Sequence, residues 1–424
     1  MTTTRTVYFT GIGGAGMSGL ALIAHGMGYK VLGSDCERSA FTEQLEKAGI
    51  PINYSHDAEY ITDAIDLLVY SSAIQSDNPE RSAAKKLQIE EIPRGLFLAQ
   101  LSEEYPTVIT VAGSHGKTTI TAMLSHILNK VGVSATYMIG GLPCNQASAA
   151  VGESGIFLTE VDESDRSQEY MHSTIAIISN LDDDHSWSIG GVDELQNCFR
   201  IFASKAQTVI AENSESCRDV LRDHSNVIWV DDELAELRLK LPGRHNRINA
   251  HFAIKAAECI GINPADAIAA IYDFESVDRR LSIRYESDEL IIVEDYAHHP
   301  REVKACIQAL REAWPEHNIH VVIQPHRNER VARYYKDFAQ ELSLADELTV
   351  TETFGAWLDD STIADDKNIV SEIKNIEAKN WTGDFYSLAE NLLSTKIDKG
   401  LIAILGAGTI NQSTGELLRR LNAS

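Results

Sequence analysis

The sequence predicts an α/β protein of three consecutive domains, and three observations carry that reading. Short β-branched or apolar runs alternate with helix-like segments along the whole chain, the pattern of mainly parallel sheets with crossover helices. At 424 residues the chain exceeds what one ordinary hydrophobic core serves. Two strand–helix junctions are glycine loops, at 11–16 and 113–116, each in the setting where backbone N–H groups and a helix N-terminus converge on phosphate.

The first junction, Gly11-Ile12-Gly13-Gly14-Ala15-Gly16, follows a strand predicted over 6–9 and precedes a helix over 17–26. A second strand over 29–32 leads to Gly33-Ser34-Asp35, putting an acid near the distance that a ribose hydroxyl requires. Such a loop serves nucleotide binding or a tight structural turn; the strand–turn–helix setting with Asp35 favours the first. Segments at 41–48, 67–71 and 79–87 continue a doubly wound unit, closed by residues 95–104 and Pro106.

The second unit opens with Val108-Ile109-Thr110-Val111-Ala112-Gly113-Ser114-His115-Gly116-Lys117-Thr118-Thr119, with a helix read from 120 to 130. Lys117 suits the β- and γ-phosphates of a nucleotide as a point charge, and the Thr118 hydroxyl suits Mg²⁺. Val111 stands where the strict phosphate-loop pattern has glycine, so an ordinary surface loop is the alternative. Strands predicted over 155–159 and 174–179 run into Glu160-Val161-Asp162-Glu163-Ser164-Asp165 and Asn180-Leu181-Asp182-Asp183-Asp184-His185. Ligands of open α/β sheets sit at the carboxyl ends of strands, so Lys117, Glu160 and His185 are expected at one crevice. The competing readings are solvated acidic turns and a structural histidine.

Pro242-Gly243-Arg244-His245-Asn246 precedes apolar helical spacing at Ile248, Phe252, Ile254, Ala257 and Ile260. Helix capping and a functional role compete for His245, Asn246 and Asn249. A third unit begins near Val277, with strands predicted over 290–293, 320–323, 348–351 and 401–405. The first two end in Glu294-Asp295-Tyr296-Ala297-His298-His299-Pro300 and Gln324-Pro325-His326-Arg327-Asn328-Glu329-Arg330.

Composition narrows the function further. Sixty-two acidic against 37 basic residues give a formal net charge of −25, which argues against nucleic acid as a partner. An anionic substrate must then be met by cations gathered locally. No apolar run approaches bilayer length, and the polar start Met1-Thr2-Thr3-Thr4-Arg5 lacks the pattern of a signal peptide; no membrane partner is expected. Six scattered cysteines without paired spacing predict buried thiols in a reducing cytoplasm.

Taken together, these motifs resemble the Mur ligase family, most closely its L-alanine-adding members. The matching pieces are Gly11 to Gly19, Gly33-Ser34-Asp35, Ser71-Ser72-Ala73-Ile74, Asn78-Pro79-Glu80, Gly113 to Thr119, Glu160 to Asp165, and Asp184-His185. Pro242 to Asn246, Arg279-Arg280, Asp295 to Pro300 and Gln324 to Arg327 complete the series, in the family's order. The resemblance implies an N-terminal Rossmann-like doubly wound domain over 1–105 for a UDP-sugar and a central P-loop ATPase-like α/β domain over 106–276. A C-terminal Rossmann-like α/β domain over 277–424 would take the amino acid. The implied activity is ATP-dependent amide formation in cytoplasmic peptidoglycan precursor synthesis. The carboxylate of UDP-N-acetylmuramate would attack the γ-phosphate, and the amino group of L-alanine would then displace phosphate from the acyl phosphate.

By the same resemblance, Lys117, Glu160, His185 and His298 would be catalytic, with Mg²⁺ on Thr118, Glu160 and His185. ATP would lie on Gly113, Ser114, His115, Gly116, Lys117, Thr118, Thr119, His245, Asn246 and Arg279. Gly13, Gly14, Gly16, Met17, Ser34, Asp35, Ser71 and Ser72 would grip the UDP-sugar; Tyr296, His298, Arg327 and Arg330 would hold the amino acid and the sugar's carboxylate. The sequence departs from the family at Asp278, Leu281, Asn328, Glu329 and Phe354-Gly355-Ala356-Trp357, and it is short between His185 and Pro242. These departures cluster toward the amino-acid end and keep open a recycling ligase that adds a whole peptide. A non-catalytic nucleotide binder leaves the retained Lys117, Glu160 and His185 unexplained, and a dinucleotide oxidoreductase rests on the first glycine motif alone.

Overall fold

Three sheets, each mainly parallel, follow one another along the chain. The computed structural model describes residues 4–183, 189–231, 237–355, 367–394 and 399–422. The first sheet contains β1 (Thr6–Thr10), β2 (Lys30–Ser34), β3 (Ile52–Asn53), β4 (Leu67–Tyr70) and β5 (Glu90–Pro93), in the order β3-β2-β1-β4-β5. Every pairing is parallel. The order reverses between β1 and β4, which opens a crevice above the carboxyl end of β1, where the first glycine loop begins.

The second sheet is built from β6 (Thr107–Ala112), β7 (Thr136–Met138), β8 (Ala149–Ala150), β9 (Ile156–Glu160), β10 (Ile175–Ile178), β11 (Thr208–Glu212) and β12 (Val227–Val230). Its order is β12-β11-β10-β6-β9-β7-β8, antiparallel only at β7–β8. The third sheet holds β13 (Ser282–Glu286), β14 (Leu290–Asp295), β15 (Asn318–Ile323), β16 (Glu347–Thr351), β17 (Glu377–Trp381) and β18 (Gly400–Leu405), ordered β13-β14-β18-β15-β16-β17. Only β13–β14 is antiparallel. Central strands such as Leu401-Ile402-Ala403-Ile404-Leu405 are buried throughout, as strands covered on both faces must be.

The chain divides into two compact units, Met1–Arg238 with Ile248–Phe274, and Leu239–Arg247 with Glu275–Ser424. The first two sheets thus fall in one unit. A continuous core joins them, running from Phe9 and Phe97 of the first sheet's layer through Met138 and Ala149 to Phe157 and Phe199 around the second. Phe9 and Phe97 meet edge to face at 5.7 Å. Each such side chain taken out of water contributes about 1.5–3 kcal/mol.

Two helices begin earlier than the apolar spacing predicts. Lys117–Lys130 starts three residues before Ile120, with Thr118 and Thr119 in its first turn, because Gly116 supplies the left-handed cap that β-branched residues cannot. Arg244–Cys259 includes His245, Asn246 and Asn249 inside the helix rather than at its cap. The short strand β7 and the edge strands β8, β13 and β17 carry no strong alternation and were not expected. The expectation of buried thiols holds for Cys198, Cys217 and Cys306 but not for Cys36, Cys144 and Cys259, which are exposed. Among the described residues no helix is long and apolar enough to cross a membrane.

Beneath the first sheet's crevice lies a buried polar cluster. Tyr8 Oη donates to Glu80 Oε1 at 2.8 Å and Ser34 Oγ to Glu80 Oε2 at 2.7 Å. His56 Nδ1 stands 2.9 Å from Ser34 Oγ and 3.3 Å from Glu80 Oε2. Glu80 has no exposed surface, and a carboxylate tolerates that only with both oxygens bonded. The hydrogen bond to Glu80 raises the His56 pKa above its ordinary 6.5 despite partial burial. A raised histidine pKa adds stability that is fully present below the unfolded value and fades as pH climbs through the folded one. His56→Gln should therefore cost about 1–2 kcal/mol in chemical denaturation below pH 6.5, with the gap to wild type closing at alkaline pH; a gap independent of pH would contradict the charged pair.

Candidate active site

In the second sheet β6 lies between β9 and β10, with Val111 opposite Glu160 and Ala112 opposite Ile178. Loops leaving three adjacent strands therefore start at one level. Gly113 and Gly116 hold φ of +129° and +85°. A Cβ at the first would lie 2.2 Å from Ser179 Oγ, and one at the second 2.6 Å from Asn249 Oδ1, so both positions require glycine. The end of β10 braces the loop. His115 N donates to Asn180 Oδ1 at 2.9 Å, while Asn180 Nδ2 and Ser179 Oγ donate to the His115 carbonyl at 3.0 and 2.6 Å. Asp182 N donates to Ser114 Oγ at 2.9 Å, and His115 Nε2 stands 3.1 Å from Asp182 Oδ2. Ser179 and Asn180, read only as the end of a strand and the start of the acidic run, were not proposed as site residues, although their place beside the phosphate loop was a usable signal.

The acidic loop after β9 spreads its carboxylates over separate partners. Thr118 Oγ1 donates to Glu160 Oε2 at 2.8 Å, and Gly140 N donates to Glu160 Oε1. Lys117 Nζ donates to the Gly113 carbonyl at 2.6 Å and to Glu163 at 3.0 and 3.2 Å. Arg94 Nε donates to Asp165 Oδ2 at 3.0 Å. Burial pulls the Lys117 pKa down, but Glu163, Asp162 and Glu160 outweigh it and hold the ammonium above the ordinary lysine value. Burial pushes the Glu163 carboxyl up to about 7, against the pull of Lys117. Lys117 thus bonds Glu163 while its neighbour Thr118 bonds Glu160; Glu163 and Arg94 were not singled out.

In the first glycine loop, Gly11 N and Ile12 N both donate to the Ser34 carbonyl at 2.9 Å, and Gly13 N donates to Asp35 Oδ2 at 2.8 Å. Asp35, expected at a ribose hydroxyl, braces the loop backbone. Met17 is 2% exposed and Ser34 is fully buried, Met17 in the core and Ser34 in the Glu80 cluster, so neither is displayed to a ligand. Gly13, Gly16, Asp35 and Ser71 are half-buried; Gly14 and Ser72 are exposed. The absence of a side chain at Gly16 makes room for the Arg94 guanidinium, whose Nη1 would lie 1.9 Å from a Cβ there.

In the second compact unit, β14, β18 and β15 are adjacent, which gathers the loops after 295, 405 and 323. His298 Nδ1 lies 2.9 Å from the Tyr296 carbonyl and 3.1 Å from Glu302 Oε2. Its ring meets His326 edge-on at 5.6 Å, and His326 stacks on Phe354 at 5.7 Å. The guanidinium groups of Arg279 and Arg280 lie 5.1 and 4.9 Å from the centre of the Tyr296 ring. Arg327 adopts a φ of +64° and its N–H donates to the Phe354 carbonyl at 2.8 Å; strain of this kind at a non-glycine residue gathers at functional sites.

Two expected ligand contacts are turned inward. Arg330 is completely buried, with Nη1 3.2 Å from the His326 carbonyl, and Arg279 pairs with Glu294 at 3.1 Å while holding the Gly406 and Gly408 carbonyls. His245 is kept neutral by burial and by Arg280, its pKa lowered to about 4. Asn246 Nδ2 donates to the Pro242 carbonyl at 2.7 Å.

Of the expected Mg²⁺ ligands, Thr118 and Glu160 are in contact, while His185 lies outside the described residues, as does Trp357. Among the described residues no group of three or more His, Cys, Asp or Glu side chains is arranged to hold a metal. A hydroxyl and a carboxylate are hard oxygen donors of the kind Mg²⁺ takes from protein while keeping water and phosphate, so this pair fits the ion.

Comparison with known proteins matches three family models in sequence order. "Mur ligase family, catalytic domain" covers residues 6–106, "Mur ligase middle domain" 111–218, and "Mur ligase, glutamate ligase domain" 279–408. A UDP-N-acetylmuramate–L-alanine ligase of Coxiella burnetii is 35% identical, covering 97% of this chain and 97% of its own. Its counterpart in Sulfurihydrogenibium sp. is 33% identical over 99% of this chain and 98% of its own. The crystal structure of UDP-N-acetylmuramate-alanine ligase from Thermotoga maritima superimposes with a TM-score of 0.84 at 27% identity, covering 99% of both chains. Identity at this level along nearly the whole length, joined to a phosphate loop and acidic loop built on neighbouring strands, leads to one conclusion: the chain belongs to the Mur ligase family.

Proposed function

We propose that the protein is an ATP-dependent ligase that joins L-alanine to the carboxylate of UDP-N-acetylmuramate in peptidoglycan precursor synthesis. The observation that carries this reading is the half-buried ammonium of Lys117 in a phosphate loop, beside the Thr118–Glu160 contact. The names of the aligned relatives supply the substrates. We read the first sheet as the UDP-sugar domain to about residue 105, the second as the ATP domain to about 276, and the third as the amino-acid domain. The small polar substrates fit a cytoplasmic enzyme.

In this reading the carboxylate oxygen of the sugar attacks the γ-phosphorus of ATP and ADP leaves. The amino group of alanine then attacks the acyl carbon, loses its proton, and phosphate departs with the oxygen that attacked. Lys117 meets the negative charge that spreads over the transferring phosphoryl group, and the loop N–H groups from Gly113 to Thr119 fix the phosphates. Mg²⁺, held by Thr118 and Glu160 with His185, would neutralise phosphate charge. His245 and Asn246 are assigned to the nucleoside end. Tyr296, His298 and Arg327 are assigned to the carboxylates of the two acids, a task for which a guanidinium fork is suited. The Phe354–His326 stack and Glu329, where the sequence departs from the family, favour testing a peptide acceptor as well.

ADP release with UDP-N-acetylmuramate should be fastest with L-alanine across a panel of amino acids and short peptides; faster release with a tripeptide would move the assignment to a recycling ligase. Lys117→Ala should lower ADP formation by at least about a hundred-fold while calorimetric binding of the UDP-sugar survives. Unchanged turnover in that variant would remove the phosphate loop from the reaction.

A further inference from the structure

Glu163 has no exposed surface, and both of its carboxylate oxygens face Lys117 Nζ, at 3.0 and 3.2 Å. The backbone around it is fixed locally: its carbonyl accepts from Arg166 N at 3.2 Å, and Ser164 N donates to Asp162 Oδ1 at 3.0 Å. The carboxylate therefore has little freedom to follow a departing lysine. Removing one member of a buried ion pair strands the other charge without water, which is strongly unfavourable. A Lys117 that swung away to a phosphate would leave Glu163 either charged and buried or obliged to take up a proton, and a pair kept together avoids both.

Lys117 has no need to swing away. An ammonium carries three N–H donors. The Gly113 carbonyl takes one at 2.6 Å and the two Glu163 oxygens take the others at 3.0 and 3.2 Å; giving up the longer Glu163 contact alone leaves one N–H for a phosphate oxygen with the pair intact.

We infer that Glu163 is a positioning residue for phosphoryl transfer, which stays paired with Lys117 when nucleotide binds and, with the Gly113 carbonyl, orients the ammonium so that its remaining N–H serves the triphosphate. The inference rests on the ligase reading above and adds to it a residue that never touches the substrate. Glu163 acts on the step in which charge develops rather than on nucleotide capture. A mere placeholder, which released the lysine on binding, would compete with ATP and show itself in affinity instead.

The test compares Glu163→Gln, which keeps the shape and removes the charge, with Glu163→Asp, which keeps the charge and shortens the arm. Both are assayed for ADP release in the full chain, below the lower of their melting temperatures. Glu163→Gln should lower kcat by about ten- to a hundred-fold with KM for ATP held within about three-fold, and Glu163→Asp should retain more kcat than Glu163→Gln. Unchanged kcat, a defect carried by KM for ATP alone, tighter ATP binding at wild-type kcat, or Glu163→Gln at least as active as Glu163→Asp would each overturn the inference. The wild-type control separates the two layers. No ADP from wild type sinks the ligase reading and this inference with it, whereas an active wild type with an indifferent Glu163→Gln sinks the inference alone.

Discussion

A half-buried ammonium paired with a fully buried carboxylate is the interaction around which the rest of the site is arranged. A chain of net charge −25 repels a nucleotide at long range, so attraction has to come from fixed local dipoles and a few desolvated cations. Lys117 is one of these, and the neighbouring acids keep it charged in spite of burial. Each acid in turn has its own partner: Glu160 takes Thr118 and Gly140, Glu163 takes Lys117, and Asp165 takes Arg94. One loop thereby ties the phosphate loop to the arginine seated against Gly16 of the first glycine loop. The common core of the first two sheets supplies the rigid frame on which such pairings persist.

Much of this frame was legible in the sequence because it depends on short-range rules. Glycine between a buried strand and a helix fixes a phosphate loop, and an acid at the last position of a neighbouring parallel strand falls beside it. Thr118 and Glu160 meet for that reason. Which of the four acids in Glu160 to Asp165 would face Lys117 was not legible, since the turn after Glu160 decides it. Arg94 belongs to no motif, and its pairing with Asp165 spans 71 residues of sequence. The shared core was equally invisible, since it joins residues as distant as Phe9 and Phe199 without any periodic signal.

Some expectations were displaced by packing. Asp35 and Ser34 carry the right chemistry for a nucleotide, yet their side chains serve the loop backbone and the Glu80 cluster. Arg330, expected at a carboxylate, and Arg279, expected at ATP, are engaged by protein carbonyls and Glu294. In the second unit Arg327 holds a φ of +64°, a strained conformation for a residue with a side chain. His298, His326 and Phe354 form an aromatic row there, built partly from positions where the sequence leaves its family.

The central claim is that the sugar's carboxylate becomes phosphorylated before the amide forms. It is tested most directly by supplying UDP-N-acetylmuramate labelled with ¹⁸O in that carboxylate, together with ATP and L-alanine, and weighing the inorganic phosphate released. The account predicts transfer of a carboxylate oxygen into the phosphate at each turnover. Phosphate that emerges without label while amide accumulates would contradict it.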